Sequence, residues 1–410
     1  MTKDAQTLIT NLGTQYNLDT VTDIDELTQL TKMYTSSTSF TDANRTLLGF
    51  KIGDINKCTF NNVECALNGT KSSVTNYYTE FHWIWLYDYG NCFQFNSGSN
   101  YTNEEISLKK SKRPGPQYGL SLTLGPLINF NQYVTSDSTG IVIFIHQDKY
   151  LPQSSDALFL QPGRNGFIPV KKTVTNNYPS PFSECTDLTS YSSSLYTSTL
   201  SLYGGVYRQQ DCFNLFNQQN IINKCGCYYT AYPMLTQASP CLDVASYECI
   251  NEQLNDFSDE EASKQCPLEC SSTTFDISIS TLEYPTKQRY NILLNDYTDY
   301  MYYYAFEYEY NQPPPVTNLT LTQYQELFLQ VNIYYPALKV TEITQSPKLS
   351  AIDLLSQIGG SLGMFLSFSM FTLLEVFEIF GLSIYVFFFK KKKKLTSKEK
   401  NKNFEKCNSS

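Results

Sequence analysis

The sequence predicts an α+β membrane protein, with a large disulfide-rich extracellular domain followed by one C-terminal helix that crosses a bilayer. Three observations carry this. Leu349 to Phe389 is the only stretch long and apolar enough for a membrane, and five lysines, Lys390 to Lys394, follow it at once. A basic flank directly after an apolar span belongs on the cytoplasmic side, which puts nearly everything before Leu349 outside. Eleven of the twelve cysteines lie in that outer part, at uneven spacings that suit disulfides in an oxidising compartment. Short alternating runs on either side of the cysteine-dense segment supply the β structure.

The 410 residues allow two or three domains, or one elaborate one, and 41% hydrophobic residues allow a sizeable core. The formal charge of −9 hides a split: residues 390–410 carry nine lysines against Glu399 and Glu405, leaving −16 on the rest. No nucleic-acid partner is expected of so acidic an exterior. The domain plan is an extracellular domain over 1–348, a membrane helix over 349–389 and a basic cytoplasmic tail over 390–410. Asn-x-Ser/Thr sequons at Asn44, Asn68, Asn100 and Asn318 are candidate glycosylation sites on the outer side. Cys407, in the tail, is expected to be a reduced thiol. An extracellular N-terminal part needs a signal peptide or an earlier span, and MTKDAQTLITNLGTQYNLDT resembles neither. The expectation is that the chain begins inside the outer domain.

Taken in order, Ile24, Leu27 and Leu30 repeat at helical spacing after Asp23, which suits a helix N-terminus. Cys58 and Cys65 enclose CTFNNVEC, a loop that a disulfide can close. The aromatic run FHWIWLYDYGNCFQFNSG (Phe81 to Gly98) reads as core or a domain contact, and it contains Cys92. Residues 118–170 read as β structure, with strands at YGLSLTL (118–124) and IVIFIH (141–146) and a turn at Pro162-Gly163. His82 and His146 lie beside such runs and read as structural histidines. Residues 185–270 hold eight cysteines and no histidine, so they read as a stapled module and no metal site is expected. Phe275, Ile277 and Ile279 alternate with Asp276, Ser278 and Ser280 and read as a strand with one buried face, and Leu329, Val331 and Ile333 alternate with Gln330 and Asn332 and read as a second strand. The tyrosine-rich 297–310 reads as an interface, and Pro313 to Pro315 as a stiff connector. No nucleophile–base pair, phosphate loop or metal constellation appears, so the protein is not expected to be an enzyme and no cofactor is implied.

Several of these pieces together resemble the epithelial sodium channel/degenerin family, which includes acid-sensing channels. The residues that carry the resemblance are YGNCFQFN (Tyr89 to Asn96), GPQYGLSLTL (Gly115 to Leu124), the cysteine block, and above all LLSQIGGSLGMFLSFSMFTLLEVFE (Leu354 to Glu378). The resemblance implies a trimer whose subunits each have two membrane helices and an ectodomain of finger, thumb, palm, knuckle and β-ball regions. It makes residues 185–270 the thumb and implies the pairs Cys185–Cys270, Cys212–Cys266, Cys225–Cys249 and Cys227–Cys241, with Cys58–Cys65 in the finger. Cys92 is left unpaired, because its partner in the family lies just after a first membrane helix upstream of this chain's start.

For the C-terminal span the resemblance implies a pore helix. Its selectivity filter is Ser367-Phe368-Ser369, where Phe368 departs from the family's small residues. Ser367, Phe371, Glu375 and Glu378 share one helical face, and threefold symmetry turns each carboxylate into a cation-attracting ring. Gly359, Gly360 and Gly363 allow close helix contact. Asp353 and Gln357 fall at the outer mouth, where acid-sensing members carry an aspartate at the position of Gln357. The other reading of Glu375 and Glu378 is that they sit near the inner interface and pair with Lys390 to Lys394, or snorkel. The expected function is therefore a subunit of a homo- or heterotrimeric, ligand-gated, amiloride-sensitive channel passing Na+ across the plasma membrane, with a proton or a peptide as extracellular ligand. The alternative is a non-conducting membrane-anchored receptor or adhesion ectodomain, or a silent subunit.

Overall fold

A computed structural model describes residues 24–69, 77–125, 140–148, 150–186, 191, 193–293, 320–366 and 370–407. They fall in two units, Met1–Gln345 and Ser346–Ser410. The expected filter Ser367-Phe368-Ser369, the sequon at Asn318, the tyrosine-rich 297–310 and the prolines at 313–315 lie outside the described residues.

The first unit is built on an eight-stranded sheet whose spine is β8 (Arg164–Asn176). Ile168 and Val170 point from it into the core. Along its first part β8 pairs with antiparallel β12 (Ser280–Glu283) and parallel β13 (Leu329–Tyr334). Along its second it pairs with antiparallel β11 (Ser271–Ile277) and parallel β14 (Val340–Thr344). The sheet continues from β13 through β5 (Leu120–Leu124) to β1 (Ile55–Phe60) and β2 (Val63–Glu64). Ile55, Leu122, Leu124, Leu160, Ile168 and Val331 form its core. The alternation at 118–124 and 329–333 thus becomes β5 and β13, although Tyr118 closes a short 3-10 turn instead of starting the strand.

One expectation is corrected. Ile279 is not part of a buried strand face: β11 ends at Ile277, and Ile279 is 40% exposed. The break falls between the residues paired with Val170 and Phe167, alongside Pro169, which has no N–H to offer a ladder.

Gly119, at the entrance to β5, is fixed by close approach. A Cβ there would fall on the Ile333 carbonyl oxygen and lie 2.6 Å from Tyr334 Cβ. Both belong to β13, so neither can move without disturbing the sheet. Gly119→Ala is expected to destabilise the first unit by about 1–3 kcal/mol, the range for overpacking a core. Thermal unfolding against Ser121→Ala, which only trims a side chain, checks it; equal midpoints would refute the close approach.

The cysteine-dense segment folds as four helices: α3 (Ser194–Leu202), α4 (Gln209–Cys225), α5 (Val244–Asn255) and α6 (Asp259–Gln265). They follow α1 (Ile24–Thr35) and the short α2 (Asp42–Arg45) in the chain. Helix α7 (Leu321–Leu327) comes later, just before β13, and the two-residue strands β9 (Cys185–Thr186) and β10 (Leu268–Glu269) pair at the two ends of the segment. Local chemistry sets their ends. Ser193 Oγ accepts from Tyr196 N–H at 3.0 Å, Asp243 and Ser246 cap α5 reciprocally, and Gly226 closes α4 in the left-handed conformation at φ 75°. The structure joins Cys185 to Cys270, Cys212 to Cys266, Cys225 to Cys249, Cys227 to Cys241 and Cys58 to Cys65. Leu30 and Met33 of α1 are buried with Ile221, Ile250 and the Cys227–Cys241 bridge, so the first helix is part of this module's core. Gln218, fully buried, satisfies its amide on Tyr229 N–H and on the Tyr229, Tyr232 and Pro233 carbonyls.

Cys92 is a free thiol on β4 (Gly90–Phe95), and burial pushes its pKa up to about 12, so it is held protonated and unreactive. Asn68 is exposed. Asn44 is half-buried, and Asn100 is half-buried with its side-chain amide donating to Glu104 at 2.8 Å.

Candidate functional site

The second unit consists of α8 (Ala351–Leu366) and α9 (Met370–Cys407). Ser350 and Asp353 start α8 by exchanging bonds: Ser350 N–H and Oγ–H donate to Asp353 Oδ2 at 3.2 and 2.7 Å, and Asp353 N–H donates to Ser350 Oγ at 3.1 Å. Asp353, expected at an outer mouth, is therefore also the helix-capping carboxylate. Gln357 lies one turn further, exposed, and Gly359, Gly360 and Gly363 follow with open surface around them. With no side chain at three positions in five, that side of α8 is the place where another helix backbone fits closest.

On α9, Phe371, Glu375 and Glu378 lie at steps of four and three, hence on one face. Apart from Thr372, Ser383 and the terminal Lys390 the rest of Phe371–Lys390 is apolar, and it is the one stretch among the described helices with the length and composition to cross a membrane. None of it is covered: Phe377, Phe380, Phe387 and Phe388 are all about two-thirds exposed. A carboxylate at mid-bilayer costs about 2.5–3.5 kcal/mol against lipid, so two on one face favour an aqueous lining or a protein partner over acyl chains. Helix spacing weighs against an ion pair of these carboxylates with Lys390 of the same helix. The helix runs unbroken, and the 12 residues from Glu378 to Lys390 span roughly 18 Å, well beyond the combined reach of the two side chains.

Three features of the first unit carry function-relevant geometry, and the sequence reading missed the second and third. The first, inside the aromatic run read as core or a domain contact, is the turn Tyr87-Asp88-Tyr89 between β3 (Phe81–Leu86) and β4. Tyr87 packs on Tyr229 of the disulfide module at 5.5 Å. Asp88 pairs with Lys32 of α1 at 3.3 Å and accepts from Ser154 Oγ at 3.3 Å. Tyr89 packs on Phe144 at the end of β6 (Ile141–Phe144) at 5.2 Å. Three consecutive residues thus join three parts of the domain. Trp85 and Trp83 on β3 reinforce the joint by donating to Ser36 Oγ and Asn91 Oδ1, both at 2.9 Å.

The second is Arg208, just before α4. Its guanidinium forks onto Asp211 at 2.7 and 2.9 Å, donates to the Leu151 carbonyl at 2.9 Å, and lies 4.8 Å over the Tyr150 ring. It ties the stapled module to the segment between β6 and β7 (Ala157–Leu160). The Arg-x-x-Asp spacing was visible in the sequence, but its partner across the fold was not. His146, in the same segment, is held below its ordinary pKa chiefly by burial, with the Arg208 charge acting in the same direction.

The third is Asp54, which is 5% exposed and sits immediately before β1. It accepts the Lys51 N–H at 2.7 Å, and its own carbonyl accepts from Gly125 N–H at 2.9 Å. Asn56 Nδ2 donates to the Gly125 carbonyl at 2.5 Å. Burial raises the Asp54 pKa to about 7, against the opposing bond and charge of Lys51.

The profile of the family described as amiloride-sensitive sodium channel matches residues 2–379. Degenerin mec-10 of Caenorhabditis elegans is 25% identical over 342 residues, covering 80% of this chain and 41% of the relative. Epithelial sodium channel subunit gamma of Xenopus laevis is 27% identical over 330 residues, covering 78% of this chain and 45% of the relative. Epithelial sodium channel subunit beta of Aquarana catesbeiana is 23% identical over 295 residues, 70% of this chain and 100% of the relative. The chain spans less than half the length of the first two.

Proposed function

The chain belongs to the amiloride-sensitive sodium channel family, and on that premise we propose that it is a subunit of a cation channel that passes Na+ down its gradient across the plasma membrane. The observation that carries this reading is the single face formed by Phe371, Glu375 and Glu378 on an apolar, uncovered helix. Facing an aqueous path, the carboxylates attract cations and repel anions, and the remaining faces meet lipid and neighbouring helices. The subunit works as a homo- or heterotrimer with other members of the family, with residues before Leu349 outside the cell and Lys390 onward inside. Exposed Val340 and Ile343 on β14 and Leu338 before it offer apolar surface for contact between ectodomains. Ser367-Phe368-Ser369 is the proposed selectivity filter, and gating is by an extracellular ligand, a proton or a peptide. No enzymatic step and no cofactor enter.

Expression in oocytes, alone and with family subunits, is expected to give an amiloride-blocked inward Na+ current that opens on acidification or on peptide application. The competing reading, a membrane-anchored receptor or silent subunit, predicts surface protein whose co-expression adds no such current. No current in any combination, with surface expression verified, would favour that second reading.

A further inference from the structure

The stripe of α9 that holds Glu375 and Glu378 also holds an aromatic ring. At about 100° per residue, Glu375 falls about 40° to one side of Phe371 and Glu378 about 20° to the other. Phe371 therefore stands inside the arc that the two carboxylates bound, and no rotation of the helix points them at water and its ring at lipid. The ring is uncovered on the helix surface, 78% exposed, and both carboxylates are exposed beside it. Glu375 lies roughly 6 Å further along the axis and Glu378 roughly 10 Å. Phe377, Phe380, Phe387 and Phe388 fall about 100° or more from Phe371, on the remaining sides.

A phenyl ring is poorly matched to Na+. It has neither donor nor acceptor to replace the ion's tightly held water, so Na+ passes it hydrated and gains chiefly from the carboxylates. A quaternary ammonium ion is different. Its charge is spread over an apolar shell that water holds weakly, and the negative face of an aromatic ring attracts it within about 6 Å. A ring with a carboxylate one turn further along the same face offers both attractions, the ring for the shell and the carboxylate for the charge.

We propose that Phe371 and Glu375 form a binding site for quaternary ammonium ions inside the conducting path, where a bound ion blocks Na+. The proposal rests on the reading of α9 as the pore-lining helix of a trimer. Three Phe371 rings then surround the axis, with three carboxylates one turn nearer the cytoplasm. An ion coming from the cytoplasmic end meets the Glu378 ring first, then Glu375, then the phenyl faces. Because the site lies within the span, such an ion moves through part of the membrane voltage to reach it, so block strengthens on depolarisation.

The test records Na+ current from the full chain, alone and with family subunits, in inside-out patches with tetraethylammonium on the cytoplasmic face. Block is read as the concentration that halves each patch's own current. The native channel is expected to show voltage-dependent block. Phe371→Leu keeps an apolar side chain but removes the ring face, and should raise the half-blocking concentration about tenfold, the combined effect of three weak ring contacts. Mono-, di- and trifluorinated phenylalanine at the same position withdraw the negative face step by step while keeping the ring's shape, and should raise it in steps. No block of the native channel, or equal block in Phe371→Leu, overturns the site while leaving the pore reading intact. Weaker block with leucine but no trend along the fluorinated series makes the contact one of shape and overturns the cation site too. Verified surface protein with no Na+ current in any combination overturns the pore reading, and the site falls with it.

Discussion

Replacing Asp54 by asparagine is expected to remove a component of the first unit's stability that changes between about pH 4 and pH 7. The carboxyl is raised from an ordinary 3.8 to about 7 by burial, so the folded chain holds this proton more tightly than the unfolded chain does. The sign follows directly. The contribution is fully present below the unfolded value and is lost as pH rises through the folded one. The gap converts to roughly 4 kcal/mol, an order-of-magnitude ceiling. Asparagine keeps an acceptor for the Lys51 N–H, so the variant should fold. His146 acts with the opposite sign. Its pKa is lowered by burial, so its contribution is present above the ordinary 6.5 and is lost as pH falls through the depressed value. Denaturation of the full chain at a series of pH values, followed by the fluorescence of Trp83 and Trp85, should show Asp54→Asn gaining relative stability at pH 7.5 over pH 5. Identical pH slopes in the two proteins would end the argument.

The second large effect is electrostatic. In the proposed trimer, three carboxylates about 6 Å from an ion in water-like surroundings attract it by roughly 2 kcal/mol, about thirtyfold in local concentration. Two such rings double the free energy at most. Glu375→Gln with Glu378→Gln is therefore expected to cut single-channel Na+ conductance at low salt by tenfold or more, with the loss shrinking as salt rises. Each single variant should show part of it. Single-channel recording of the assembled channel in low and high NaCl reads this out. An unchanged conductance at low salt would show that the two side chains face away from the ions.

The parts of the fold legible in the sequence were those with one dominant period. Leu120 to Leu124 and Leu329 to Ile333 each alternate over a half-buried surface, and the C-terminal apolar run admits few readings. The longest strand was legible only in its first half, inside the 118–170 stretch read as β structure, and its continuation to Asn176 was not. RNGFIPVKKTVTN carries Gly166, Pro169 and a lysine pair, all poor strand signals, and it is extended because four other strands flank it. Ile279 misled for a related reason, since its alternation with Phe275 and Ile277 was real but the partner strand presents a proline beside it. At the candidate site, Glu375 and Glu378 stood out because charge inside an apolar run is rare. The Tyr87–Tyr89 turn was marked as core or a domain contact by its aromatics, though not with its partners. Asp54 and Arg208 did not stand out, because an aspartate in KIGDINKC looks like any surface aspartate until the fold closes over it. Burial and cross-fold partners are properties of the assembled chain, and no local pattern encodes them.

The parallel pairing of β14 with β8 has a mechanical corollary. Five consecutive positions, Val340 to Thr344, are matched to Lys172 through Asn176, and only five residues separate Thr344 from Ser350, the cap of α8. Tension applied to the chain at Ser350 along the strand direction loads those rungs together in shear, whereas a pull across the strand would open them one by one. The Gln345 N–H bond to the Asn176 carbonyl and the Asn176 side-chain bond to Glu342 brace the loaded end. Beyond β14 the same load passes into β8 and from there to its other three partners. The strand that ends shortly before α8 is therefore an edge strand tied along its whole length to β8, the spine of the sheet, so tension on it is carried by those rungs together.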